Sequence, residues 1–215
     1  LTTTEPYSGK SIIALGVMNL LAGKTEKIAY FKPVISSEGT EKDSHLDTIS
    51  NHFNLNVPYK DMYVFTRNEV MKHINAGNES FVIDTIIDRF KRLQERHDFV
   101  VVEGTDFKDN STNMEFDGNI SIAKNLGIPA ALIVKGEGKS VQEIVDTAVS
   151  TTKSFMDEGV QILTVVANKI DLEKEEEIRA QLGKALPKGL IITSIPRNKD
   201  LGSPTMKEIF ESVGG

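Results

Sequence analysis

The chain has no cysteine among its 215 residues. Disulfides, thiolate catalysis and cysteine-based zinc sites are therefore excluded, and a reducing cytoplasm is the expected setting. No apolar run approaches the roughly 18–20 residues of a membrane span, and no signal-peptide pattern is visible, so no membrane partner is expected. Positive charge is not in excess: 25 Lys and Arg face 31 Asp and Glu, a formal net charge of −6. A nucleic-acid partner, which asks for a basic face, is not expected either. A local anion site stays open, because a phosphate loop works with backbone N–H groups and one lysine. Repeats and low-complexity tracts are missing too. The histidines (His45, His52, His73 and His97) show no ligand spacing and read as surface residues.

What is present suits a folded chain with a real core: 39% hydrophobic and 26% charged residues. One α/β domain over residues 1–215 is the natural expectation at this length. The start at Leu1 rather than Met, and the end "ESVGG", read as cuts, so a domain excised from a longer chain is expected.

Strand-like and helix-like segments alternate. "IAYFKPV" (28–34), "FVVVEG" (99–104), "AALIVKG" (130–136), "ILTVVANK" (162–169) and "GLIITSIP" (189–196) are apolar runs, with Leu1–Thr3 as the tail of a sixth. Unbroken rather than alternating runs suit parallel strands covered on both faces. Helical periodicity marks 9–22, 80–96, the segment after Ser140, 173–182 and 204–213. Ser140 and Glu143 have the spacing of a capping box. Residues 36–78 are the least regular, polar and helix-leaning, and "DLEKEEEIR" (171–179) reads as a solvated helix face. The alternation predicts a doubly wound, mostly parallel sheet with helices on both faces.

Ligands of such sheets bind at the carboxyl ends of the strands. After the first strand comes "TEPYSGKS", whose Gly9-Lys10-Ser11 matches the end of the phosphate-loop pattern G-x-x-x-x-G-K-[ST], with Thr4 where the first glycine is expected. In that reading Gly9 lets backbone approach phosphate, Lys10 reaches the β/γ-phosphates, and Ser11 offers a hydroxyl to Mg²⁺ at a helix N-terminus. Glu103, ending an apolar strand, suits the acid that serves the metal. Asp43 and Asp47 either complete the Mg²⁺ shell or lie on a helix surface. Lys32, beside Pro33, stands at the sheet edge or is a plain surface lysine. Asn168-Lys169-Ile170-Asp171 has the N-K-x-D form that reads guanine. Alternatively, Asn168 offers its amide to adenine or closes a turn.

With these residues assembled, the chain resembles the dethiobiotin synthetase-like P-loop domains. The shared order is Thr3-Thr4-Glu5 with Gly9-Lys10-Ser11, Phe31-Lys32-Pro33-Val34, Val102-Glu103-Gly104, Ala167-Asn168 and Ile195-Pro196. In that family threonine is expected where Thr4 stands, while Thr3 and Glu5 replace its Gly and Asp. The polar stretch "TDFKDNSTNMEFDGN" after Val102-Glu103-Gly104, a helix from about residue 119, and "IPRNKDLGSPTMKEI" are similar to the N-terminal domain fused to phosphate acetyltransferases. The resemblance implies nucleotide contacts from Glu5, Ser8, Gly9, Lys10, Ser11, Asn168, Pro196 and Arg197. It implies Mg²⁺ on Ser11, Glu103 and one of Asp43 or Asp47, and reactive roles for Lys10 and Lys32. ATP or another nucleoside triphosphate is then the ligand. The expected role is regulation or assembly of a homo-oligomeric acetyltransferase whose catalytic domain lies downstream. The alternative is an ATP-dependent ligase of the dethiobiotin synthetase kind.

Overall fold

Strands form where the sequence runs unbroken through β-branched and aromatic residues, and helices fill the intervals. A computed structural model describes residues 1–36, 42–105 and 112–198, with the backbone alone for 112–114. The strands are β1 (Thr2–Thr3), β2 (Ile28–Phe31), β3 (Val34–Ile35), β4 (Phe65–Thr66), β5 (Phe99–Val102), β6 (Ala130–Lys135), β7 (Ile162–Ile170) and β8 (Ile191–Pro196). The helices are α1 (Lys10–Ala22), α2 (Ser44–His52), α3 (Arg67–Asn75), α4 (Glu79–Gln94), α5 (Thr112–Leu126), α6 (Val141–Asp157) and α7 (Glu175–Ala185).

All described strand pairs are parallel. One ladder runs β1-β6-β7-β8, a second pairs β2 with β5, and a third pairs β3 with β4. The first two are joined at the Leu1 end of β1: the amino group of Leu1 donates to Val102 O at 2.7 Å, and Gly104 N donates to Leu1 O at 2.8 Å. The strand order across the molecule is therefore β2-β5-β1-β6-β7-β8. Chain travel outward from β1 to β2, then back through β5 to β8, reverses direction beside β1. With right-handed crossovers this puts α1 on one face and α5, α6 and α7 on the other. The reversal opens a crevice at the carboxyl ends next to β1.

The core divides accordingly. Ala14 and Met18 of α1 pack with β2, β3, α2 and α4, where Tyr30 and Phe31 are fully buried. Leu132 and Val134 of β6 and Val165 and Ala167 of β7 pack with Ile144, Ala148 and Phe155 of α6 and with α7. The central runs β2 and β6 and most of β7 are buried, as inner strands of a covered parallel sheet require, whereas Phe99 of β5 and Ile191 and Ile195 of β8 are exposed among the described residues. The Ser140–Glu143 capping box forms, each residue accepting from the other's backbone N–H at 2.7–3.3 Å.

Three differences from the sequence reading have physical reasons. Residues 42–78 resolve into α2, α3 and β4, and the β3–β4 ladder is two residues long, too short to leave a periodic pattern. Helix α5 starts at Thr112 rather than near 119, with Gly118 tolerated inside it. A second capping box, Thr66–Glu69, starts α3 and was legible as T-R-N-E. The expected helix 204–213 and residues 106–111 of the polar stretch lie outside the described residues. Among the described residues no helix is long and apolar enough to cross a membrane.

Candidate nucleotide-binding cleft

The β1–α1 connection forms one wall of a cleft of about 520 Å³. Thr3, Glu5, Ser8, Gly9, Lys10 and Ser11 line it from this side, Lys32, Ser36, Asp43 and His45 from the other, and Lys169 from the end of β7. Gly9 ends the loop in the left-handed region, φ +83°, and stands at the N-cap of α1. A Cβ placed there would lie 2.3 Å from Asn168 Nδ2. The glycine therefore serves two needs at once: a backbone angle that favours glycine and a close approach to β7. No side chain caps α1. Its first turn, Lys10, Ser11 and Ile12, lines the cleft, and a helix N-terminus there favours an anion.

Two lysines are buried in the cleft floor, Lys10 and Lys32, at 4% and 1% exposure. Buried charge persists only when paired, and both are. Lys10 Nζ donates to Gly104 O at 2.5 Å and stands 3.4 Å from Glu103 Oε1. Lys32 Nζ lies 3.1 Å from Asp43 Oδ2. Asp43 also caps α2, its Oδ1 accepting from the backbone N–H groups of His45 and Leu46, both at 3.1 Å.

Glu103 lies beneath the cleft with no exposed surface. Tyr30 OH donates to its Oε2 at 2.5 Å, while its Oε1 has no hydrogen-bond partner. Burial alone would raise its pKa. The His45 side chain, Lys10, Lys32 and the Tyr30 hydroxyl outweigh burial and hold the carboxyl well below its ordinary range. A group depressed in the folded state adds stability that is complete above its unfolded value, 4.5, and is lost as pH falls below that. Glu103→Gln should therefore lower Tm at neutral pH and flatten the acid limb of a Tm-against-pH curve between about pH 5 and 3. Parallel curves for the two proteins would refute this assignment.

The sequence-predicted residues divide by placement. Glu5, Ser8, Gly9, Lys10, Ser11, Lys32 and Asp43 line the cleft, and Glu103 supports its floor. Asp47 sits on α2 away from the cleft lining, accepting from Lys42 Nζ at 2.7 Å and Asn51 Nδ2 at 3.1 Å. Among the described residues no group of three or more His, Cys, Asp or Glu is gathered as a ready metal cage. Asn168 is buried, and its Nδ2 donates to Ser8 O at 2.7 Å, so its amide is engaged with the loop. Lys169, at φ +58°, donates from Nζ to Tyr7 O at 2.9 Å. Asp171 pairs with Lys174 at 2.7 Å. The N-K-x-D residues thus brace the loop and a surface turn. Pro196 ends β8 opposite Ile170, and Arg197 NH1 stands 3.3 Å from Glu137 Oε1; neither lines the cleft.

Two residues were missed. His45 is not a surface bystander: its Nδ1 lies 3.0 Å from Ser11 Oγ and 3.6 Å from Glu103 Oε1. Its signal was positional, since an Asp43 N-cap after the β2 edge brings the first turn of α2 back toward the crevice. Lys139 contacts Glu5 across the rim. The β6–α6 turn that carries Lys139, "GEGKS", repeats a G-K-S, but the capping box there occupies the Ser140 and Glu143 N–H groups.

A strand-to-helix loop ending Gly9-Lys10-Ser11, with a buried acid on the adjacent strand, is the architecture of a P-loop nucleotide-binding domain. A family model described as an AAA domain matches residues 1–205, and the chain belongs to that P-loop family. It is 32% identical over 219 residues to a phosphate acetyltransferase of Nitratidesulfovibrio vulgaris and 30% identical over 215 residues to one of Synechocystis sp.. These matches cover 100% and 99% of this chain but 31% of each relative, so it spans about a third of their length. It is also 24% identical over 220 residues to an ATP-dependent dethiobiotin synthetase of Clostridium kluyveri, covering 96% of this chain and 88% of that one. A crystal structure of a ParA family ATPase from Chlorobium tepidum covers 93% of this chain and is covered to 84%, at 13% identity and a TM-score of 0.51, which shows the shared fold. The chain is thus a P-loop domain homologous to a part of phosphate acetyltransferases.

Proposed function

We propose that this chain is the nucleotide-binding, regulatory or assembly domain of a cytoplasmic, homo-oligomeric phosphate acetyltransferase. The parent reaction would be acetyl-CoA + phosphate to acetyl phosphate + CoA, carried out by a downstream domain. The observation that carries the reading is the cleft in which Gly9, Lys10 and Ser11 meet the Glu103 floor. ATP, or another nucleoside triphosphate, would place its phosphates against the α1 N-terminus. Two features fit phosphate there: the α1 N-terminus carries no side-chain cap, and the buried Lys10 ammonium lines the same cleft. Lys10 would exchange Gly104 O for phosphate oxygen, with Glu5 and Ser8 flanking the loop.

Glu103 Oε1, which faces Lys10 and His45 without a hydrogen bond, and the Ser11 hydroxyl would hold a Mg²⁺ ion, with the cleft-lining Asp43 rather than Asp47 as the further acid. The ion would neutralise phosphate charge. Pro196 and Arg197 would face the base from the β8 end. In the parent protein, acetyl phosphate formation should respond to ATP in the wild type and not in Lys10→Ala. An identical ATP response in both proteins would overturn the reading.

A second reading is an ATP-dependent ligase like the Clostridium kluyveri relative, favoured by Lys32 standing in the same cleft as Lys10. There Lys32 would hold a substrate carboxylate or carbamate while Lys10 neutralises charge developing on the transferred phosphoryl group. ADP release that depends on diaminopelargonate and bicarbonate would support it, and its absence would remove it.

A further inference from the structure

A second concavity lies outside the nucleotide cleft. It holds about 820 Å³ between α3, α4 and α5, larger than the first. Val70 and Ile74 of α3, Ile83 of α4 and Ile122 of α5 give it apolar walls. A volume in this range, with mostly apolar walls and a few charged groups, suits a small-molecule site. The charges are lopsided. Among the described residues Arg67, Glu79, Asp84, Glu115 and Asp117 line it, one cation against four carboxylates. Arg67 is already matched by buried Glu115 at 2.5 Å. The remaining three carboxylates, Glu79, Asp84 and Asp117, are exposed at the rim, where they repel anions and attract cations.

The cavity also touches the strand end that supports the first site. Thr105 lines it. The Thr105 N–H donates to Asn119 Oδ1 at 2.8 Å, and Asn119 Nδ2 donates back to Thr105 O at 3.3 Å, tying this strand end to α5. A Cβ on Gly104 would lie 2.8 Å from Asn119 Oδ1, so the fit of β5 against α5 leaves no slack. One residue back, Gly104 O holds Lys10 Nζ.

We propose that this cavity binds a small molecule with an apolar body and an ammonium group, and that its occupancy is transmitted to Lys10 through Asn119, Thr105 and Gly104. The binding half stands without the nucleotide reading. The effect on nucleotide affinity rests on it.

The test titrates the ¹⁵N-labelled chain with benzylamine and, as a size-matched anion, benzoate. Benzylamine should shift the amides of Val70, Ile83 and Ile122 together with those of Gly104 and Thr105, and benzoate should bind about tenfold or more weakly. Ile83→Trp, which fills the cavity, should abolish the shifts. If that variant fails to fold, Asp117→Asn on the exposed rim should weaken benzylamine several-fold while benzoate binds no more weakly than before. Absence of shifts, equal binding of the two compounds, or shifts confined to other surfaces would overturn the site. A chain that binds both benzylamine and ATP, with ATP affinity indifferent to the amine, would overturn the coupling. A chain that binds benzylamine but no ATP would sink the nucleotide reading and leave the cavity standing.

Discussion

Replacing Gly9 with alanine should lower stability by roughly 2–4 kcal/mol. Two terms contribute. The residue sits at φ +83°, where an L side chain is strained. The new Cβ would also occupy space 2.3 Å from Asn168 Nδ2. Asn168 is buried and donates to Ser8 O, so displacing it leaves a polar group without its partner. For a chain of this length the loss corresponds to a fall in Tm of about 5–12 °C, read by calorimetry or circular dichroism. An unchanged Tm would mean that the β7–loop contact does not hold the loop. Asn168→Ala separates the terms: it removes the obstruction, so the double variant should recover part of the loss.

Lys10→Ala should weaken nucleotide binding by about 10–150-fold, the equivalent of one charge-assisted contact of roughly 1.5–3 kcal/mol. Its effect on folding should be smaller than its effect on affinity, because Tyr30, Lys32 and His45 remain around Glu103. The variant also removes the ammonium that bonds Gly104 O at 2.5 Å in the present state. Binding therefore requires the lysine to exchange one oxygen partner for another, not to move from solvent. Calorimetric titration of the variant with Mg-ATP reads the change, and an affinity equal to that of the wild type would contradict it.

Much of this was readable from the residues because the relevant signals are local. Unbroken apolar runs such as "AALIVKG" gave away buried parallel strands, and Gly9-Lys10-Ser11 lies between a strand and a helix as read. Ser140 and Glu143 predicted their own cap. What escaped notice depends on chain segments that meet only in the fold. His45 reaches Ser11 because Asp43 caps α2 at the crevice, a relation with no spacing signature. Asn168 supports the loop through a bond spanning 160 residues, a contact its sequence context does not announce. Ladders of two residues, β3 and β4, are too short for any period. Asp43 and Asp47 are equivalent on paper, and only the orientation of α2 separates the cleft-lining one from the one paired with Lys42.

The central claim is that the β1–α1 loop is a working nucleotide site. It is tested most directly by calorimetric titration of the wild-type chain with ATP in the presence and absence of Mg²⁺. The account predicts one nucleotide bound per chain, tighter with Mg²⁺ than without. Absence of binding heat and of any ATP-dependent rise in Tm under both conditions would contradict it.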